Sequence, residues 1–213
     1  MTIVYVNIGM PKQQMDRHGK TFVTGIAKQA TGKILQLTHA GLPGDDSFEA
    51  VHGTPDRALH VFSHEHYDYF AQRAGRPMEH CSFGENLCVI GLVESDVCVG
   101  DIWQLGAAIV QVSMPTERCS TIGRRLQLPK MLHWIHEQMM TGYYLRVLQE
   151  GAISAESAIV RIERPAPEWT IDRLNQLLFK QHDLQLMNAA CAVPELSADW
   201  KQRAFQLYKR VAT

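Results

Sequence analysis

The pattern of the sequence changes at Arg164-Pro165-Ala166-Pro167. Before this point, short runs of β-branched and apolar residues alternate with turn signals, and after it apolar residues recur at helical spacing. Strand-like runs with little helix between them favour a largely antiparallel sheet or barrel over a βαβ array. The sequence therefore predicts a mixed α+β chain, with a mainly antiparallel barrel-like domain over 1–163 and a small three-helix extension over 168–213.

The element boundaries follow from the same patterns. The predicted strands are Thr2–Ile8, Gly25–Lys28, Lys33–Thr38, Leu87–Ile90, Ile102–Leu105 and Ala108–Ser113. The predicted helices are His64–Arg73, capped by Ser63, then Lys130–Met140, Thr170–Lys180, Leu184–Cys191 and Ala198–Arg210, the last three capped by Thr170, Asp183 and Ser197. About 45 residues are few for an independent core, so the three-helix extension is expected to dock on the first domain.

The composition limits the kinds of partner. The chain has 213 residues, 46% of them hydrophobic, and a formal net charge of -1. Near-neutral charge gives no electrostatic reason to expect binding to nucleic acid or to an anionic membrane. No apolar run approaches the ~20 residues that a membrane helix needs, and the first residues lack the features of a secretion signal. We expect a cytoplasmic protein; its oligomeric state is left open.

Cysteine is the residue type most indicative of chemistry. The five cysteines are an odd number without a C-x-x-C pair, which argues against a disulfide framework and against a four-thiolate zinc or iron–sulfur site. Cys119 follows a predicted strand in a polar loop, with Arg118, Arg124 and Arg125 nearby. Cationic surroundings favour the thiolate, which attacks electrophiles or binds soft metals. At this point a reactive or ligating thiol and an ordinary loop cysteine both remain open.

The histidine pairs and nucleotide motifs give weaker signals. His64 and His66, two positions apart in a predicted helix, point in different directions and do not suit a joint metal site. His133 and His136 can share a helix face, but Met140 stands where a zinc H-E-x-x-H motif needs its second histidine, so we interpret them as surface or interface residues. No glycine-rich nucleotide-binding loop occurs.

Six stretches in order resemble the pattern of MOSC domains, which are related to the C-terminal part of molybdenum cofactor sulfurases. The resemblance covers roughly residues 25–163. The stretches are Gly44-Asp45, His52-Gly53-x-Pro55-Asp56-Arg57-Ala58-Leu59, Phe83-Gly84-Glu85-Asn86-Leu87, Gly100-Asp101, Val112-Ser113-x-Pro115 to Cys119, and Gly142-x-Tyr144-x-Arg146-Val147-Leu148. The tail from about 167 is similar to the three-helix extension of the bacterial subgroup associated with 6-N-hydroxylaminopurine resistance.

The resemblance implies a barrel-like fold that binds a pterin-based molybdenum cofactor, with Cys119 as the metal ligand and catalytic thiol. It implies reduction of N-hydroxylated bases and related compounds, with the hydroxyl oxygen leaving as water. The sequence carries no flavin, haem or iron–sulfur motif, so an external electron-donor reductase is expected. The candidate cofactor-binding residues are Lys28, His52, Asp56, Arg57, Glu85, Asn86 and Arg146.

Other interpretations stay open. The chain could be a non-redox carrier of the cofactor, or it could pass sulfur as a Cys119 persulfide. Thr54, Met114 and Thr116 depart from the residues common in the family, which allows a third interpretation, an interaction protein that has lost the cofactor. The proton donor is also open among Glu85, Asp96 and Glu117, since carboxylates can serve as general acids.

Overall fold

The computed structural model describes residues 1–45 and 54–211 of the chain. The strands are β1 (Thr2–Ile8), β2 (Lys12–Met15), β3 (Thr21–Thr24), β4 (Gln29–Ala30), β5 (Leu35–Leu37), β6 (Leu59–Ser63), β7 (Leu87–Ile90), β8 (Ile102–Leu105), β9 (Ala108–Pro115), β10 (Tyr143–Gln149), β11 (Gly151–Ile153) and β12 (Ile159–Glu163). The helices are α1 (His66–Ala74), α2 (Thr121–Leu126), α3 (Met131–Gln138), α4 (Ile171–Gln176), α5 (Leu184–Cys191) and α6 (Ala198–Val211), with a 3-10 turn at Pro55–Arg57 and a π-helical turn at Leu177–Gln181. Within these ranges, no helix combines the length and the apolar character that crossing a membrane requires.

Eight strands form one curled sheet in the order β12-β8-β9-β10-β6-β7-β1-β4. Its neighbouring strands are antiparallel, apart from the parallel pair β6 and β7. The other four strands form two ribbons, β11 with β5 and β2 with β3. The predicted mixed fold with a mainly antiparallel, barrel-like sheet is therefore confirmed.

Strand β6 is buried on both faces and carries a polar residue, His60, near its start. Leu59 and Val61 point into the main core of the sheet, whereas Phe62 belongs to the cluster beneath α1 and α3. Because side chains alternate along a strand, His60 shares the face of Phe62. His60 is 6% exposed, and the centre of its ring lies 6.5 Å from that of Phe62.

The C-terminal helices pack directly on the sheet domain. Trp200 of α6 is 1% exposed, and its apolar cluster includes Val99, Met114 and Tyr144 from the sheet domain. The Ser197 amide donates to the carbonyl of Ser113 in β9 at 3.1 Å. The three-helix extension therefore shares a core with the sheet domain instead of forming an isolated bundle.

The predicted caps of the three C-terminal helices are present. The Thr170 hydroxyl accepts from the Arg173 amide at 3.1 Å, and the Asp183 carboxylate accepts from the first amides of α5. The Ser197 hydroxyl accepts from the Trp200 amide at 3.2 Å. Each cap satisfies a backbone donor that the helix itself leaves without a partner.

Two local predictions were wrong. Gly25–Lys28 is not a strand, because the Thr24 hydroxyl accepts from the Ile26 amide and turns the chain between β3 and β4. Ser63 does not cap α1, which begins at His66; its hydroxyl donates to the carbonyl of Leu92 at 2.7 Å. Residues of the turn at 25–28 line a pocket.

Candidate functional site

A pocket opens where several loops meet at the strand ends. Its walls come from parts of 23–28, 40–45, 57–60, 83–86 and 116–122, together with Tyr144 of β10. Gly84 has φ +70°, and a Cβ there would lie 2.3 Å from Cγ1 of Ile26, so glycine is needed for the two loops to approach each other. The pocket brings together several residues that are distant in the sequence.

Cys119 lies on the pocket wall, in the loop between β9 and α2, and it is the exposed thiol of the chain. Cys81, Cys88 and Cys98 are buried and Cys191 is half-buried. Burial raises the pKa of each of these four thiols above its ordinary value. Nucleophilic attack and metal binding both require the thiolate, so Cys119 is the cysteine that the structure makes available for chemistry.

Arg118 supplies a cation beside Cys119. Its guanidinium donates to the carbonyls of Thr141 at 2.7 Å and Phe83 at 2.6 Å, and to Nε2 of His60 at 2.7 Å. Burial lowers the pKa of Arg118, but a guanidinium stays protonated in proteins. Within residues 1–45 and 54–211, no carboxylate forms an ion pair with Arg118, so its charge is available to an anion in the pocket.

Lys28 and Asn86 meet at one carboxylate. The Lys28 ammonium forms an ion pair with Oδ1 of Asp45, and Nδ2 of Asn86 donates to Oδ2 of Asp45 at 2.7 Å. Oδ1 of Asn86 accepts from the His60 amide at 3.0 Å. Asp45 therefore balances the charge of Lys28 and connects three segments of the pocket wall.

Arg57 is paired across the boundary with the C-terminal helices. Its side chain is 8% exposed, and Nε lies 3.1 Å from Oδ2 of Asp199 in α6. Its guanidinium carbon also lies 5.5 Å from the centre of the Tyr144 ring. A buried guanidinium needs a partner, and Asp199 provides the carboxylate for this one.

Three predicted cofactor-binding residues lie off the pocket wall. Arg146 pairs with Asp56 at 2.7 Å and donates to Oε1 of Gln111 at 3.0 Å. Glu85 is fully buried and accepts from the Tyr67 hydroxyl, and burial raises its pKa. Oε2 of Glu85 has no hydrogen-bond partner among the described residues, and the role of Asp56, Glu85 and Arg146 in cofactor binding stays a prediction. His52, the remaining candidate, lies outside the described residues.

The residues that differ from those common in the family lie in different environments. Met114 is buried against the C-terminal helices, where the Ser197 hydroxyl donates to its sulfur at 2.7 Å. Thr116 lines the pocket; it is 2% exposed, and its hydroxyl has no hydrogen-bond partner among the described residues. Buried polar groups normally have partners, so the Thr116 hydroxyl is a candidate contact for a ligand.

Sequence reasoning missed several pocket residues. His60 lies in β6, a strand that was not predicted, and Tyr144 stands in a family stretch but was not among the candidate cofactor-binding residues. Asp199 is far along the chain in α6, and no local pattern connects it with Arg57. Arg118 was recognised as a cation near Cys119 in the sequence, but not as a residue that lines the pocket beside His60. Among the described residues, no group of three or more His, Cys, Asp or Glu side chains could hold a metal ion.

The chain matches known protein families along most of its length. The MOSC domain model matches residues 49–160, and the model of the YiiM-like 3-alpha helix domain matches residues 169–206. The uncharacterized protein YflK of Bacillus subtilis is 31% identical, over 94% of this chain and 91% of YflK. A protein named "Reductase" from Gibberella moniliformis is 29% identical over 75% of this chain, which spans only 29% of that protein.

Solved structures agree with the sequence comparisons. The crystal structure of YiiM from Geobacillus stearothermophilus has a TM-score of 0.82 at 31% identity, covering 99% of this chain and 98% of that one. YiiM from Escherichia coli has a TM-score of 0.75 at 26% identity, covering 94% and 92%. From the matched residues and the shared architecture, this chain belongs to the MOSC domain family and carries the YiiM-like 3-alpha helix domain at its C-terminal side.

Proposed function

We propose that this protein binds a pterin-based molybdenum cofactor in the pocket and reduces N-hydroxylated bases and related N-hydroxylated compounds. The observation that supports this most directly is the position of Cys119, an exposed thiol on the wall of a pocket that also contains cations. Thiolate is a soft donor and suits molybdenum, whose pterin brings its own sulfur ligands. The distant relative named "Reductase" agrees with a redox activity.

The other pocket residues fit the chemistry of such a cofactor. A phosphate and a pterin need cations and hydrogen-bonding groups, and Lys28, Arg57 and Arg118 all line the pocket. The Thr116 hydroxyl, buried without a partner among the described residues, adds one more polar group. We propose that the arginines and Lys28 hold the anionic part, and that Cys119 ligates the metal.

When bound, the cofactor would supply the two-electron chemistry, with the protein providing orientation and electrostatics. The overall reaction is R–NHOH plus two electrons and two protons giving R–NH2 and water. Of the three candidate proton donors, Glu117 lines the pocket, whereas Glu85 and Asp96 do not. We propose that Glu117 transfers protons to the substrate from this position. The electrons would come from a separate reductase.

The first test is the molybdenum and pterin content after anaerobic purification from cofactor-replete cells. Wild type is compared with Cys119→Ala, and with Cys98→Ala as a matched control for losing one thiol outside the pocket. We expect near-stoichiometric metal in wild type and in Cys98→Ala, and a loss in Cys119→Ala. Reduction of 6-N-hydroxylaminopurine with a chemical electron donor should follow the metal content. Full reduction by Cys119→Ala would refute the proposed role of Cys119.

A second candidate function is non-redox transfer of the cofactor or of sulfur as a Cys119 persulfide. It is favoured by the exposure of Cys119, since a donor protein could reach this thiol. A cyanolysable persulfide on wild type, absent from Cys119→Ala and without reductase activity, would support this alternative. For either function we propose a cytoplasmic location, because all five cysteines are free thiols and such a compartment keeps thiols reduced.

A further inference from the structure

The three-helix extension contributes a residue to the environment of the pocket. We propose that Asp199 of α6 is a positioning residue for Arg57, holding its guanidinium in the orientation that receives an anionic ligand. The inference rests on the proposed function only in that the anion would be the phosphate of the cofactor. It assigns a role in binding to a helix that otherwise serves as a packing element.

The ion pair between Arg57 and Asp199 has two contacts to one carboxylate oxygen. Nε of Arg57 lies 3.1 Å and Nη2 lies 3.0 Å from the same oxygen, Oδ2 of Asp199. These two contacts hold one edge of the guanidinium against the carboxylate oxygen and so fix the direction in which that edge points. Nη1 lies outside these two contacts, and Arg57 borders the pocket. The Tyr144 ring limits movement on another side, with its centre 5.5 Å from the guanidinium carbon.

The backbone that carries Asp199 is held in place on both sides. Asp199 lies between Ser197, whose amide donates to the Ser113 carbonyl, and Trp200, which is 1% exposed in the shared core. The backbone that carries the carboxylate is therefore fixed to β9 on one side and to the core on the other. Asp199 itself is 39% exposed, so its substitution should leave the core intact.

Arg203 makes a second contact between the same edge of α6 and the pocket wall. Arg203 follows Asp199 by one helical turn, and its Nε lies 4.0 Å from Oε1 of Glu117, which lines the pocket. Residues four apart lie on one helix face. The edge of α6 that carries Asp199 and Arg203 therefore borders the pocket, and the contact with Arg57 is not an isolated surface pair.

The charges give two opposite expectations for the loss of Asp199. If its charge matters most, removing an anion beside an anion site should strengthen binding, and Asp199→Asn and Asp199→Ala should behave alike. If positioning matters, Asp199→Asn should resemble wild type, because the amide oxygen can still accept from Arg57. Asp199→Ala should then weaken binding, because the guanidinium is free to rotate.

The experiment uses the full-length protein and two measurements. Nitrogen-15 NMR detects the Nε–H of Arg57, identified by its disappearance in Arg57→Lys, and reports exchange with solvent. Pterin content after incubation with free molybdenum cofactor reports binding without measuring activity. We expect a protected Nε–H and normal pterin content in wild type and Asp199→Asn. Asp199→Ala should lose the protection, and its cofactor affinity should fall by about two- to fivefold.

The controls separate this inference from its alternatives. Asp172→Ala, which removes a carboxylate from α4, should change neither measurement. An Nε–H that stays protected in Asp199→Ala, or equal pterin content in Asp199→Asn and Asp199→Ala, would overturn the proposal. Should Asp199→Ala not fold, Asp199→Ser provides the same comparison. Absence of pterin from the wild type would count against the proposed function, while the Nε–H measurement would still decide the role of Asp199.

Discussion

Nη2 of Arg118 lies 2.7 Å from Nε2 of His60, although the two residues are 58 positions apart. Because a guanidinium can only donate, Nε2 of His60 must accept this hydrogen bond. The contact joins the loop that carries Cys119 to the middle of the sheet through β6. Gly142 permits the close packing here, since a Cβ at this position would lie 2.8 Å from Nε2 of His60.

Substitution of Arg118 should affect both stability and binding. Arg118→Gln removes the donors to the carbonyls of Phe83 and Thr141, and an unsatisfied buried acceptor costs about 1–3 kcal/mol. We expect the free energy of unfolding, measured in urea, to fall by about that amount, together with reduced cofactor retention. Arg203→Gln is the matched control, because its pair with Glu117 is exposed and should contribute less than about 0.5 kcal/mol. Equal stability of the two variants would contradict the structural role of Arg118.

Thiol labelling of the native protein should distinguish Cys119 from the other cysteines. Iodoacetamide reacts with the thiolate, and burial both raises the pKa of the other four thiols and restricts access to them. Mass spectrometry at neutral pH should show one fast site, at Cys119, in the protein without cofactor. Cys119→Ala should lose the fast phase, whereas unfolding in denaturant should expose the remaining thiols. Fast labelling of Cys81 in the folded protein would contradict its burial.

The interface between α3 and the C-terminal helices should weaken in acid. The His136 ring stacks on Phe179, with ring centres 4.3 Å apart. Burial, followed by Arg118 and His133, lowers the pKa of His136 below its ordinary value of 6.5. The unfolded chain therefore takes up a proton first as pH falls, so this contribution to stability is complete above about pH 6.5 and is lost below it.

The measurement is the melting temperature between pH 8 and pH 5. His136→Gln should melt lower than wild type at pH 8 but should lose less on acidification, since it has no proton to bind. Phe179→Leu removes the stacked ring and keeps the histidine, so it serves as the control. Parallel pH profiles for wild type and His136→Gln would show that another group sets the acid sensitivity.

Removal of Trp200 should show that the sheet domain and the helices unfold together. Trp200 is one of the largest fully buried side chains and lies in the core that both parts share. Replacement of a buried aromatic residue by alanine costs about 3–5 kcal/mol. Calorimetry should give one transition for wild type and one destabilised transition for Trp200→Ala. Two separate transitions in wild type would contradict a shared core.

The sequence predicts the part of the fold that depends on local patterns. The helix caps at Thr170, Asp183 and Ser197 were predictable because each cap bonds to amides within its own turn. The ribbon of β2 and β3 was missed because Lys12-Gln13-Gln14-Met15 is polar and mostly exposed, without the alternation that marks a half-buried strand. The domain boundary between 163 and 168 stays a prediction.

The residues of the candidate site also divide into those that the sequence motifs predict and those that depend on the tertiary structure. Arg57, Asn86 and Cys119 come from the family stretches, Lys28 is a candidate outside them, and all four lie on the pocket wall. Asp56, Glu85 and Arg146 belong to the same motifs but bond to other protein groups, and a pattern of residues does not reveal which direction a side chain takes. Asp199 depends on the docking of α6, which is a tertiary contact.

Arg57 and Asp199 are 142 positions apart, and this separation determines when their ion pair can form during synthesis. Chains emerge from the ribosome from their N-terminus, and early segments can fold before later ones exist. Arg57, Lys28 and Cys119 are all made before α6, so a nascent sheet domain would expose an arginine whose acidic partner is still missing. Glu117 is likewise made before its basic partner Arg203. Docking of α6 is thus the step at which the nascent chain completes both ion pairs beside the pocket.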